Sequence, residues 1–166
     1  MTFDEWTRSG LPGLLRFATA LCGSGHLAED LVQDVAIKAH RNWSRVSSAG
    51  HPDAYLRRMV VNEYLSWRRK WSRYVPRAEI FPAEETADHA DAAADRDVLI
   101  SELAKLPRRQ RAVLVLRYYG GLSDAEIAET LGCSAGTVRA HASRALATLR
   151  IELATPTLTS EVNHAY

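Results

Sequence analysis

The chain has 166 residues, 46% apolar and 25% charged, with 21 Lys and Arg against 20 Asp and Glu for a formal net charge of +1. At this size roughly two thirds of the unfolded surface can be buried without disulfides or a structural metal, and the composition excludes a disulfide-rich scaffold, a collagen-like repeat and a wholly disordered tail. A balance so close to neutral also argues against a strongly basic nucleic-acid binder, in which excess Lys and Arg displace phosphate counterions.

Along the chain, the first apolar stretch is Leu11 to Gly23, interrupted by Arg16 and preceded by Asp4 and Glu5. That pattern fits neither a signal peptide nor a membrane span. Cys22 and Cys133 lie far apart with no CxxC or Cys/His spacing around either, so zinc has no ligand set and both read as buried or half-buried thiols of a cytoplasmic protein. From Ala28 to Trp43 the positions Ala28, Leu31, Val32, Val35, Ala36 and Ala39 follow helical spacing. The opposite face carries Asp30, Gln33, Asp34, Ile37 and Arg41. A lone exposed isoleucine is ordinary, although an apolar side chain ringed by acids, an amide and a guanidinium also has the composition of a partner-binding patch.

His51-Pro52-Asp53 predicts a helix start, with proline at the first helical position and a carboxylate near the positive end of the dipole. Over residues 54–73, Leu56, Met59 and Val60 make an apolar stripe that Trp67 extends. Beside it Arg57, Arg58, Arg68, Arg69, Lys70 and Arg73 interleave with Tyr64, Trp67 and Trp71, a mixture suited to phosphate contacts plus base stacking on single-stranded nucleic acid.

The charge is unevenly distributed. Residues 1–76 hold 11 basic and 7 acidic residues (+4), residues 77–100 hold 2 and 7 (−5), and residues 101–166 hold 8 and 6 (+2). The acidic stretch 81–95 has no large apolar residue after Phe81 and cannot fold alone. It predicts a flexible linker, with an Ala-rich helix as the alternative for its second half.

Leu106-Pro107 opens a helix expected to run to Arg117, with Val113, Leu114 and Leu116 as core. Ser123-Asp-Ala-Glu126 is a capping box for a helix over 124–131, with Ile127, Ala128 and Leu131 inward. Gly132 and Cys133 make a turn, and Ser134 caps a second helix whose inward stripe is Val138, Ala142, Ala145, Leu146 and Leu149. This is a helix-turn-helix. Its second helix leaves Gly136, Thr137, Ala140, Ser143 and Arg144 outward with Arg139 and His141 on the flanks. Arg139 and Arg144 are long enough for guanine edges or phosphates, and Ser134 and Thr137 suit phosphate oxygens.

Together these motifs resemble the sigma-70 family of bacterial initiation factors, specifically its two-domain extracytoplasmic-function (ECF) group. Ala28-Glu-Asp-Leu-Val-Gln-Asp-Val35 resembles region 2.2, and Tyr55-Leu-Arg-Arg-Met-Val-Val-Asn62 with the Arg-rich run after it resembles regions 2.3 and 2.4. Leu106-Pro-x-x-Gln-Arg-x-Val-Leu-x-Leu-Arg117, Leu122-Ser-x-x-Glu-Ile-Ala128 and Gly136-Thr-Val-Arg-x-x-x-x-Arg-Ala145 resemble region 4. The resemblance covers about residues 3 to 150. Where many relatives continue the arginine block, this chain has Trp71-Ser-Arg-Tyr74, so stacking is the expected substitute there for phosphate contacts.

The resemblance implies an all-α protein of two helical domains: region 2 over 1–76, an acidic linker over 77–100 that threads the polymerase RNA channel, region 4 over 101–153, and a tail over 154–166. It implies a non-catalytic subunit that binds core RNA polymerase and promoter DNA without a cofactor or metal, free as a monomer, with an anti-sigma factor as a candidate partner. By position, Asp30, Gln33, Asp34, Ile37 and Arg41 would meet the polymerase clamp, which turns Ile37 into a contact residue. Arg57, Arg58, Asn62, Arg68, Arg69 and Lys70 would hold the minus-10 strand, with Asn62 near a flipped base. Ser134, Thr137, Arg139, His141 and Arg144 would meet the minus-35 element. The low net charge predicts weak DNA binding by the free chain at physiological salt. Two rivals remain at this level: a dimeric stand-alone helix-turn-helix regulator, and an enzyme acting on nucleic acid, against which no ligand-spaced histidine or nucleophile motif speaks for catalysis.

Overall fold

In the computed structural model, residues 1–71 and 92–154 are described, with the backbone alone given at 68–71, 92–93 and 151–154. All regular elements among the described residues are helices: α1 (Phe3–Cys22), α2 (Gly25–Arg41), α3 (Trp43–Ser47), α4 (Pro52–Trp71), α5 (Ala92–Lys105), α6 (Arg108–Leu114), α7 (Asp124–Leu131) and α8 (Ala135–Ala154). A π-helical turn, Val115–Tyr119, follows α6.

Helix α1 is the long element that sequence periodicity did not predict, and the short α3 was not predicted either. Thr2 and Glu5 form a capping box at its start, and Trp6, Leu14, Phe17, Ala18 and Leu21 bury its inner face although Pro12 lies within it. The Trp6 indole donates to Asp53 at the start of α4 at 2.7 Å. Around it Phe3, His40 and Trp43 pack edge-on or tilted, and the Trp43 indole donates to the Met1 carbonyl. Helices α1, α2 and α4 thus make an N-terminal bundle, with Ala28, Leu31, Val32, Val35 and Ala39 of α2 and Leu56, Val60 and Val61 of α4 buried. Tyr64 is also buried, at 1% exposure. That corrects the expectation that it stacks on bases: its spacing from Leu56 and Val60 places it on the inner face of α4.

The C-terminal half follows the local rules closely. Ser123 and Glu126 satisfy each other's backbone N–H groups, Gly132 takes a left-handed conformation (φ 64°), and Ser134 Oγ accepts from the Thr137 N–H at 3.1 Å. The cap bonds hold the Glu126 carboxyl below the usual carboxylate range. Its share of stability is therefore present at neutral pH and lost as pH falls through that lowered value. Val138, Ala142, Ala145 and Leu149 are buried, while Leu146 is half-buried. Two boundaries differ from expectation. The helix expected to end at Arg117 changes to π geometry after Leu114, with Gly120 donating to the Val115 carbonyl at 2.9 Å. Helix α5 begins at Ala92, inside the stretch read as linker and in line with the Ala-rich helix held as the alternative for its second half; residues 94–99 are exposed, and Leu103 is buried in the core.

The two halves share one core. Helix α5 and the π turn pack on α1, and α6 and α7 pack on α4. The chain makes the α1–α5 approach possible at Gly23, whose φ is +72° and where an added Cβ would lie 2.9 Å from the Ala104 Cβ. Arg111, 8% exposed, holds the joint. Its guanidinium donates to the Leu21 carbonyl at the end of α1 (2.8 Å) and to Ala104 and Leu106 at the end of α5 (2.6 and 3.0 Å). One cation therefore satisfies orphan carbonyls at two helix C-termini, where the dipoles are negative. Beside it Arg108 lies over the Tyr64 ring at 4.1 Å and donates to the Tyr64 carbonyl.

Candidate nucleic-acid interface

Three outward faces carry the residues singled out by the sequence. On α2, Asp30, Gln33, Asp34, Ile37 and Arg41 are all exposed, and Ile37 is 48% exposed, one of the few large apolar side chains open to solvent. The inner face of the same helix is fully occupied by core contacts, so Ile37 is not there for packing.

On α4, Arg58 and Asn62 are exposed and Arg57 is half-buried. Neither arginine stands alone. The Arg57 guanidinium lies 5.8 Å from the centroids of both the Phe17 and Tyr119 rings, and Arg58 pairs with Glu129 of α7 at 3.4 Å. The side chains of Arg68, Arg69 and Lys70 lie outside the described residues, as do Arg73 and Tyr74.

On α8, Thr137, Arg139 and Arg144 are exposed, with Gly136 and Ser143 also at the surface. The Ser134 hydroxyl, expected to contact phosphate, is already engaged as the N-cap and lies 2.9 Å from the Thr137 hydroxyl. His141 is half-buried, with its Nδ1 enclosed and without a hydrogen-bond partner. Behind this face Arg117 pairs with Asp124, fixing the π turn to the first turn of α7. Cys22, at the joint, has its thiol pushed up to about 12 by burial, with Arg108 and Arg111 opposing the shift; it is not a nucleophile.

The chain as a whole has known relatives. Residues 7–74 match the family model for sigma-70 region 2, and residues 96–149 match that for sigma-70 region 4. The RNA polymerase sigma-E factor of Streptomyces avermitilis is 36% identical over 92% of this chain and 86% of its own length. The chain belongs to the sigma-70 family, in its ECF group. The ECF RNA polymerase sigma factor SigL of Mycobacterium tuberculosis is 33% identical over 84% of this chain and 82% of its own. Among solved structures, the sigma factor RpoE of Bartonella quintana, in complex with the anti-sigma factor NepR, superposes with a TM-score of 0.73 at 30% identity, covering 93% of this chain and 98% of that one.

This ECF sigma factor is thus an RNA polymerase sigma factor, a regulatory subunit class that acts in promoter-specific transcription initiation. A dimeric repressor would carry region 4 alone; region 2 in front of it, matched separately, decides against that rival. Sequence reasoning missed Phe17 and Tyr119 around Arg57 and Glu129 against Arg58. No local signal links residues on α1, α4, the π turn and α7.

Proposed function

We propose that this sigma factor is a dissociable specificity subunit in which the α2 face grips the clamp of core polymerase, α4 holds the melted minus-10 strand and α8 reads the minus-35 element. The chain binds no cofactor and leaves the chemistry to the polymerase, in the cytoplasm. Region 2 occupies 1–76 in this reading, region 4 runs from α5 to 153, and the intervening acidic segment takes the path that later carries RNA. The observation that carries the reading is Ile37: an exposed apolar side chain centred among Asp30, Gln33, Asp34 and Arg41 has the anatomy of an interface anchor with a polar rim. Pull-down of core subunits followed by run-off transcription from a cognate promoter tests it. A chain that binds DNA without affinity for core overturns it.

Recognition of the minus-35 element is proposed to rest on Arg139 and Arg144, with Thr137 and the α8 N-terminus on the backbone. Arg139→Ala is expected to weaken minus-35 binding about ten- to a hundredfold, the value of one good base contact, while sparing assembly with core. Equal loss of both in gel-shift and pull-down measurements would contradict the assignment.

An anti-sigma partner also fits the molecule. Between α1, α5, the π turn and α8 runs an apolar groove of about 650 Å³, walled by Leu99, Leu103, Tyr118 and Leu149 with Arg16 and Arg96 also lining it. An amphipathic helix with acidic flanks suits such a groove. The support is the relative solved with NepR, together with exposed Leu99 and Tyr118.

A further inference from the structure

Two concave sites differ in the charge of their walls. The cleft between α4 and α7, about 300 Å³, is lined by Arg57 and Arg58 but also by Glu126 and Glu129, and Arg58 is paired with Glu129. Its charges answer one another. The groove between α1, α5, the π turn and α8, about 650 Å³, has only two charged residues in its wall among the described residues, and both are arginines, Arg16 on α1 and Arg96 on α5. Both are exposed, and neither is in an ion pair with another described residue. The rest of the wall is apolar apart from two tyrosine hydroxyls. Leu103 and Leu149 are buried there, whereas Leu99 and Tyr118 are left 52% and 67% exposed.

A concave, mostly apolar site of this size with a few convergent polar groups is the usual form of a small-molecule site, and its chemistry selects the ligand. Two guanidinium forks with no carboxylate beside them in the wall select an anion, and their planar geometry matches a carboxylate. The wall offers no amide or imidazole side chain to orient a sugar or a base, so the body of the ligand has to be hydrocarbon. At about 30 Å³ for a water-sized group such as a methylene, half of the groove takes a chain of about ten. We propose that this groove is a binding site for a free long-chain carboxylic acid, its alkyl chain along Leu99, Leu103, Tyr118 and Leu149 and its carboxylate at Arg16 and Arg96. The binding itself requires nothing of the sigma reading. Its consequence does rest on that reading: the acid and the acidic-flanked helix of an anti-sigma partner need the same apolar wall and the same two arginines, so one excludes the other and the acid keeps the partner off the groove.

The test is calorimetric titration of the full-length chain with sodium dodecanoate below its micelle concentration. One equivalent is expected to bind and to raise the melting temperature, as a ligand of the folded state does. Decanoate, two methylenes shorter, should bind roughly five- to fifteenfold more weakly, and dodecyltrimethylammonium, with the same chain and the opposite charge, at least about tenfold more weakly. Arg16→Gln/Arg96→Gln should lose about tenfold, and Leu99→Glu, which places a carboxylate in the groove, at least as much. Arg8→Gln/Arg45→Gln removes the same two charges from exposed positions elsewhere and should bind as the parent does. Several equivalents taken up alike by parent and variants, or a fall in melting temperature, would mean detergent-like adsorption and overturns the site. So does equal binding of the cationic amphiphile. Absence of binding overturns it too, leaving the groove to residues 155–166 or to a partner helix, and binding that fades as light scattering shows a dimer gives the groove to a second copy. Sedimentation with phosphatidylglycerol vesicles without binding of the free acid would make the groove a membrane contact, which also overturns the proposal. Assembly of the parent with core polymerase, measured separately, reports on the sigma reading alone.

Discussion

Ile37→Glu will abolish assembly with core polymerase, lowering affinity by roughly a hundredfold or more, and will leave the melting temperature of the free chain unchanged. The first half follows from interface physics. An apolar anchor at the centre of a patch carries a disproportionate share of binding energy, and a buried carboxylate in its place adds desolvation cost and repels Asp30 and Asp34 on the same face. The second half follows from burial: Ile37 is 48% exposed, and Leu31, Val32 and Val35 hold α2 in the core without it. Co-purification with core subunits and a thermal melt on the same preparation check both halves. Loss of assembly accompanied by a large fall in melting temperature would mean that Ile37 is a folding residue. Assembly unchanged would mean that the polymerase is gripped elsewhere.

Arg111→Ala will cost about 3 kcal/mol of stability, through three lost charged hydrogen bonds partly offset by the desolvation that a buried guanidinium no longer requires. For a chain of this length that corresponds to a fall in melting temperature of roughly 6–12 °C. The effect should also change the form of the transition. Two of the acceptors, Ala104 and Leu106, belong to the C-terminal half and one, Leu21, to the N-terminal half. Losing the cation weakens the α5–α6 corner and the joint between halves together, so one cooperative urea transition should split into two. Lys at this position restores charge but not the planar fork that reaches both helix ends, and is expected to recover little. A variant as stable and as cooperative as the parent would show that the shared apolar core alone couples the halves.

How much of this was legible in the sequence depends on the range of each interaction. The helix-turn-helix was legible residue by residue, because Ser123, Glu126, Gly132 and Ser134 act on backbone groups within one turn of themselves. The α2 face was legible because periodicity separates Val35 from Ile37. Tyr64 was misplaced: its neighbours in sequence are basic and aromatic, but its spacing from Leu56 and Val60, the better signal, points inward. Helix α1 escaped because Gly10, Pro12 and Gly13 obscure its pattern, although Thr2 and Glu5 announce its cap. The joint had no signal at all. Arg111 is recognised there by the carbonyls of Leu21, Ala104 and Leu106, and every residue has a carbonyl; only the fold brings those three together.

The aromatic cluster around Trp6 has a spectroscopic consequence. Trp6, Trp43, Trp67 and Trp71 are all the tryptophans of the chain, and all precede residue 72. Indole emission is therefore a reporter of the N-terminal bundle alone, while far-ultraviolet ellipticity sums the helices of both halves. Two unmodified optical signals, followed in one titration, distinguish a molecule whose halves melt together from one whose halves have parted.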